Sequence, residues 1–145
     1  QMCIRDRVYA FGASSISQLD SAYIQNIKNA SQYINSIEKN NLAVLRGYSV
    51  TNEQKIIREI INSIMCNYFV DLNKISKKYK VSTSDIYKIV KFKEDLLDDF
   101  ISDGILNFKS GIIVINEKGR LFTRNIAMRF DPMIDQKVGT YSNTV

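Results

Sequence analysis

Residues 111–131 read GIIVINEKGRLFTRNIAMRFD. A short β-branched run, Ile112 to Ile115, meets Asn116, whose side chain suits a helix N-cap. From Glu117 the spacing predicts a helix with an apolar stripe of Leu121, Phe122, Ile126 and Phe130, stopped by Pro132. Just upstream, Ile105 to Phe108 and Ile112 to Ile115 predict two strands joined through Ser110-Gly111, a hairpin signal.

The segments before the hairpin read as helices. Thr51 with Gln54 has the form of a capping box, in which hydroxyl and amide each satisfy an exposed backbone group. The helix it opens carries Ile56, Ile57, Ile60, Ile61, Ile64, Met65 and Tyr68 at helical spacing. A shorter helix is expected over residues 72–80. Ser82 and Asp85 signal a further start, for a helix with Ile86, Ile89, Val90, Leu97, Phe100 and Ile101 on one face and Gly104 at its left-handed end.

Towards the N-terminus the pattern changes. Residues 8–11 read as a short buried strand running into Gly12, Ala13, Ser14 and Ser15. A strand opening into a small-residue turn is how many α/β proteins present a ligand site, because small side chains let a ligand approach backbone N–H groups. A tight turn without a ligand is the equal alternative. No partner strand is evident nearby, so the sheet is expected to lie in sequence outside this chain. Residues 22–40 predict a helix pair or one broken helix marked by Tyr23, Ile27, Tyr33, Ile34 and Ile37. Residues 42–50 predict a linker or short extended segment.

Composition narrows the chemistry. The chain has 145 residues, 45% hydrophobic and 24% charged, as in an ordinary globular domain. No apolar run approaches the roughly 20 residues that cross a bilayer. Residues 1–7, QMCIRDR, resemble the translated read-through of a sequencing adapter and are set aside as a scar. Without Arg5, Asp6 and Arg7 the formal charge of +5 becomes +4, which is mildly basic. Cys3 goes with them, so Cys66 stands alone and offers neither disulfide nor cysteine metal site. Histidine is absent, which removes the commonest general base and metal ligand together.

Helix, helix, helix, hairpin, helix is the order of a winged-helix module, whose usual trade is DNA binding. The helix before the hairpin would enter the groove, yet it carries Asp85, Glu94, Asp95, Asp98, Asp99 and Asp103 against Lys88, Lys91 and Lys93. Such a face repels phosphate, so no nucleic-acid partner is expected. Lys74, Lys77, Lys78 and Lys80 with Tyr79 read as a solvated helix face, with a phosphate contact as the alternative. Cys66 lies within a helical stripe with no base to activate it, and reads as a buried structural thiol. Arg120 and Arg124, one helical turn apart, could clamp a carboxylate, although surface or interdomain charges commonly take that spacing.

Taken together, FGASSIS at 11–17, YIQN at 23–26, RGYSVT at 46–51, IIREIINSIMCNYFVD at 56–71, GRLFTRNIAMRFD at 119–131 and the ending YSNTV resemble a known family. They look like the C-terminal part of oxygen-independent coproporphyrinogen III oxidase, a radical S-adenosylmethionine family. The resemblance implies a full-length parent that oxidatively decarboxylates two propionates of coproporphyrinogen III, giving protoporphyrinogen IX in haem biosynthesis. It implies a [4Fe–4S] cluster and S-adenosylmethionine on an N-terminal partial β/α barrel, covered by a helical C-terminal domain. It further implies that Ile16 contacts a second S-adenosylmethionine, with Gly12, Ala13, Ser14 and Ser15 as neighbours. The family's CxxxCxxC motif does not occur in this chain, so no catalytic residue and no metal ligand is assigned. The chain is then expected to be an inactive fragment, a mainly α fold with a small hairpin. Its plan is residues 1–7 as scar, 8–49 as the end of the barrel with a linker, 50–132 as the winged-helix-like domain and 133–145 as tail. The parent is expected to be a cytoplasmic monomer whose partners are the porphyrinogen and the missing barrel. A free-standing winged-helix module binding nucleic acid or another partner is the alternative.

Overall fold

The computed structural model describes residues 7–134; all of the expected scar but Arg7 and most of the expected tail lie outside them. The chain forms two compact units, one ending at Lys55 and the other beginning at Ile56. About half of the described chain is helical, and two small antiparallel sheets account for the strands.

In the first unit, β1 (Ile16–Gln18), β2 (Ala22–Asn26) and β3 (Val44–Ser49) form one sheet in that order, with α1 (Ala30–Glu38) between β2 and β3. This corrects three expectations. Residues 8–11 are not a buried strand: only Val8 makes a bridge, to Gln18, and Phe11 is 88% exposed. The small-residue turn therefore precedes its strand instead of following it. Residues 22–26 are strand rather than helix, because β2 pairs on both sides, Ile16 to Gln25 and Tyr23 to Tyr48, and ladder bonding outweighs the helical spacing of Tyr23 and Ile27. The partner strands lie within this chain. Helix begins only at α1, where Asn29 Oδ1 accepts the N–H of Gln32. Residues 42–50 are extended as expected, as β3.

α2 (Asn52–Asn67) opens on the expected capping box: Gln54 N–H donates to Thr51 Oγ1 at 3.3 Å, and Thr51 N–H to Gln54 Oε1 at 3.0 Å. Its buried face is Ile56, Ile60, Ser63 and Ile64. Cys66 is exposed, which overturns its reading as a buried thiol. At about 100° per residue it lies roughly 200° round the helix from Ile64, on the far face.

The second unit continues with β4 (Phe69–Asp71), α3 (Leu72–Tyr79), α4 (Thr83–Ile89), a 3₁₀ turn (Glu94–Leu97) and α5 (Asp98–Ser102). β5 (Leu106–Lys109) and β6 (Ile112–Ile115) form the expected hairpin; a 3₁₀ turn (Lys118–Phe122) and α6 (Thr123–Met128) follow. β4, too short to announce itself, pairs with β6 and makes the sheet order β4-β6-β5. The single helix expected from Ser82 to Ile101 is broken. Lys91 turns left-handed at φ 50°, and Phe92 N–H closes on Tyr87 O at 2.8 Å. A continuous helix would have turned Phe92 away from the Ile86 and Val90 stripe; the break seats it in the core.

The last helix is also divided. Asn116 Oδ1 accepts Gly119 N–H at 2.9 Å, but the N-cap position falls on Glu117 and the element it starts is a 3₁₀ turn. Leu121 is 89% exposed and Phe122 half-exposed, so the buried stripe is Thr123, Ile126, Ala127 and Phe130. Phe130 stacks on Phe92 at 4.7 Å between centroids, while Tyr87 and Phe108 meet Phe92 edge-on at 5.2 and 6.0 Å. This cluster closes the core over Ile56, Ile60, Ile64, Leu72 and Ile113.

Candidate cofactor-binding turn

The small-residue segment takes its shape from two residues in the left-handed region. Gly12 has φ +100° and Ser14 φ +61°, so the chain doubles back before entering β1. A side chain at Gly12 would meet no atom within 4 Å; backbone conformation, rather than crowding, is what calls for glycine there.

The turn is tied down from outside. Asn26, the last residue of β2, donates from Nδ2 to Gly12 O at 3.1 Å, Ser15 Oγ at 3.1 Å and Ala10 O at 3.3 Å. Its N–H also donates to Ser15 O at 2.9 Å. The strand pairing shifts register between Gln25 and Asn26, and such a bulge re-aims a side chain. From α1 the Tyr33 hydroxyl accepts Gly12 N–H at 3.1 Å; Ser14 N–H donates to Ile27 O at 2.9 Å, and Ser15 Oγ to Gly12 O at 2.7 Å. The amides of Gly12 and Ser14, expected to be presented to a ligand, are thus spent within the unit. What the turn presents is the apolar side chain of Ile16, 55% exposed at the head of β1, beside exposed Ser14, with Ala13 and Ser15 half-buried. Such a surface can pack against a flat or aliphatic part of a ligand. The tethers Asn26 and Tyr33 had no signal of their own in the sequence, because their role appears only when β2 is recognised as a strand.

The remaining candidates do not join this turn into one site. Lys78 Nζ lies 2.6 Å from Glu59 Oε2, which also accepts the Tyr79 hydroxyl at 2.7 Å, and Lys74, Lys77 and Lys80 are exposed. The Arg120 guanidinium lies over the Tyr68 ring, 4.9 Å from its centroid, while Arg124 is exposed on α6, so the two arginines do not share one regular helix. Asp85 sits below the usual carboxylate range, held by hydrogen bonds from the Ser82 side chain and backbone, with Lys88 adding to the effect. Tyr87 is shifted up by burial and by Glu94. Both are structural groups of α4. Among the described residues no group of three His, Cys, Asp or Glu side chains is placed to hold a metal ion.

No protein-family model matches the chain. It is similar to curated proteins called oxygen-independent coproporphyrinogen III oxidase. That of Escherichia coli (strain K12) is 34% identical over 128 residues, covering 87% of this chain and 27% of the relative. That of Bradyrhizobium diazoefficiens is 29% identical over 135 residues, 93% of this chain and 29% of the relative. That of Thermostichus vulcanus is 31% identical over 139 residues, 93% and 41%. Among solved structures, the coproporphyrinogen III oxidase of Escherichia coli, described as a radical SAM enzyme, matches with a TM-score of 0.74 and 30% identity over 88% of this chain and 29% of that one. The chain spans about a quarter of the length of the first of these relatives.

Proposed function

We propose, since the chain is related along most of its length to the oxygen-independent coproporphyrinogen III oxidases, that it is the closing part of such an enzyme. The observation that carries this is the breadth of the match: both units take part, at 34% identity over 87% of the chain and a TM-score of 0.74. In this reading the parent removes two carboxyl groups from coproporphyrinogen III, giving protoporphyrinogen IX, in the cytoplasm. No helix among the described residues is long and apolar enough to cross a membrane.

The parent's [4Fe–4S] cluster does not fit this chain. Cluster ligation of this type draws on three closely spaced cysteines, and the sequence has two, Cys3 and Cys66. No step is therefore routed through a cluster here. S-adenosylmethionine fits better as something touched. Ile16 would pack against its apolar part, with Gly12, Ala13, Ser14 and Ser15 keeping the approach uncrowded. Asn26 and Tyr33 would hold the turn in place. Residues 50–132 would form a winged-helix-like lid over the barrel of the parent, to which residues 8–49 would belong.

The winged-helix alternative, a nucleic-acid binder, is disfavoured by one feature. Glu94, Asp95, Asp98, Asp99 and Asp103 are all exposed along the segment that would face the groove. The test of the leading reading is anaerobic iron–sulfur reconstitution of the chain. We expect no charge-transfer absorbance and no stoichiometric iron; a stoichiometric cluster would overturn the fragment reading.

A further inference from the structure

Ile16 is not alone on its face of the sheet. It stands opposite Gln25 on β2, and Gln25 stands opposite Arg46 on β3, so the three side chains form one row on one face. Hydrogen bonds join the row. Arg46 Nε donates to Gln25 Oε1 at 2.9 Å, and Gln25 Nε2 donates to Ser14 O in the turn at 3.4 Å. Both ends of the Gln25 amide are thus committed: its oxygen aims the guanidinium, and its nitrogen ties that aim to the candidate turn. We propose that Arg46 is the carboxylate-binding residue of the site that Ile16 heads.

What Gln25 leaves unused decides the chemistry. With Nε committed, the guanidinium keeps its end-on pair of Nη groups, whose parallel N–H bonds match the two oxygens of a carboxylate. Arg46 enters no ion pair among the described residues, so none of their carboxylates fills that fork. Already held at one nitrogen, it also gives up less freedom on binding than an untethered surface arginine. Two strand spacings of about 4.8 Å set Ile16 and Arg46 roughly 10 Å apart at the backbone. A ligand spanning the row has an apolar part at one end and an alkyl carboxylate at the other. This rests on the reading of the turn given above, under which two molecules qualify. S-adenosylmethionine would offer its methionine carboxylate, and coproporphyrinogen III a propionate.

The test titrates the full 145-residue chain, labelled at isoleucine Cδ1, while NMR follows the methyl groups. The probes are S-adenosylmethionine, its decarboxylated analogue, and coproporphyrin III, the stable oxidised form of the porphyrinogen. Ile16→Val identifies the Ile16 signal by its loss. That signal should move in the wild type, and Arg46→Met should weaken at least one carboxylate ligand about tenfold, with far-UV circular dichroism unchanged. A loss for S-adenosylmethionine, absent for its decarboxylated analogue, assigns the fork to the methionine carboxylate; a loss for coproporphyrin III assigns it to a propionate. Lys77→Met removes the same charge from an exposed residue of α3 and should change neither. Undiminished binding of both carboxylate ligands by Arg46→Met overturns the proposal and leaves the turn standing. An equal loss from Lys77→Met, or a loss shared by the decarboxylated analogue, overturns it in the same way. An Ile16 signal that no probe moves overturns the proposal together with the reading of the turn.

Discussion

Gly119 is the position at which one added methyl group should do the most damage. It lies in the 3₁₀ turn after the hairpin, pressed against Ile105, just before β5, and Ile115 of β6. A Cβ built there falls well inside contact distance of the Ile105 carbonyl oxygen, 2.6 Å from Ile115 Cγ2 and 2.9 Å from Ile105 Cγ2. The φ of Gly119 is not in the left-handed region, so the demand is for space alone. The carbonyl cannot swing aside freely, because it accepts Asn116 N–H at 3.2 Å, and Asn116 Oδ1 in turn holds Gly119 N–H at 2.9 Å. Overpacking a tight site costs about 1–3 kcal/mol, and losing the Asn116 hydrogen bond adds about 1 kcal/mol. We therefore expect Gly119→Ala to destabilise the second unit by about 3 kcal/mol, roughly a hundredfold in its folding equilibrium. Urea unfolding followed by far-UV circular dichroism reads this as a fall in midpoint at unchanged slope. Gly104→Ala is the matched control: nothing lies within 4 Å of its Cβ, and only φ +64° is at stake. It should cost about 1–2 kcal/mol. A change at Gly119 below about 0.5 kcal/mol, within the range of ordinary surface substitutions, would refute the reasoning.

Phe130→Ala should cost about 3–5 kcal/mol by emptying the fully buried position stacked on Phe92, and thermal unfolding would show most of the unit's stability gone. Ser82→Ala should cost about 1 kcal/mol in urea by uncapping α4, where Asp85 N–H donates to Ser82 Oγ at 3.1 Å. Asp85 carries an acid signature of its own. Its folded-state pKa lies below the ordinary aspartate value of 3.8, so its ionised form stabilises the fold above that pH, and the contribution is lost as the pH falls through the lower folded value. A stability gap between the wild type and Asp85→Asn should thus stand at pH 7 and close in acid; a gap that widens below pH 4 would contradict the assignment.

How much could be read from the sequence follows from how local each signal is. Thr51-Gln54 and Ser82-Asp85 are short-range caps, and both form as their spacing says. The hairpin around Ser110-Gly111 is equally local, with φ 52° and 78° at the turn. What periodicity could not show was tertiary choice. Phe92 breaks a helix in order to reach Phe130, and Gly119 lies in a tight turn with Ile105 and Ile115 directly beneath it. In the first unit Tyr23 and Ile27 share helical spacing, yet two flanking strands claim residues 22–26. The same error hid the candidate turn's supports, since Asn26 and Tyr33 matter only once β2 is a strand beside it. Ile16 could be named only through family resemblance, because an exposed isoleucine has no chemical signature of its own.

The stack of Phe130 on Phe92 sets a schedule for synthesis as well as a packing arrangement. Every buried helix and strand of the second unit from Ile56 to Ile115 is synthesised before the ring that completes the core exists. Until Phe130 is free of the exit tunnel, which shields the most recently made segment, Phe92 has lost its stacked neighbour and the unit waits with an open apolar face. A nascent chain with residues 116–130 still inside the exit tunnel is thus the species most exposed to chaperones and proteases.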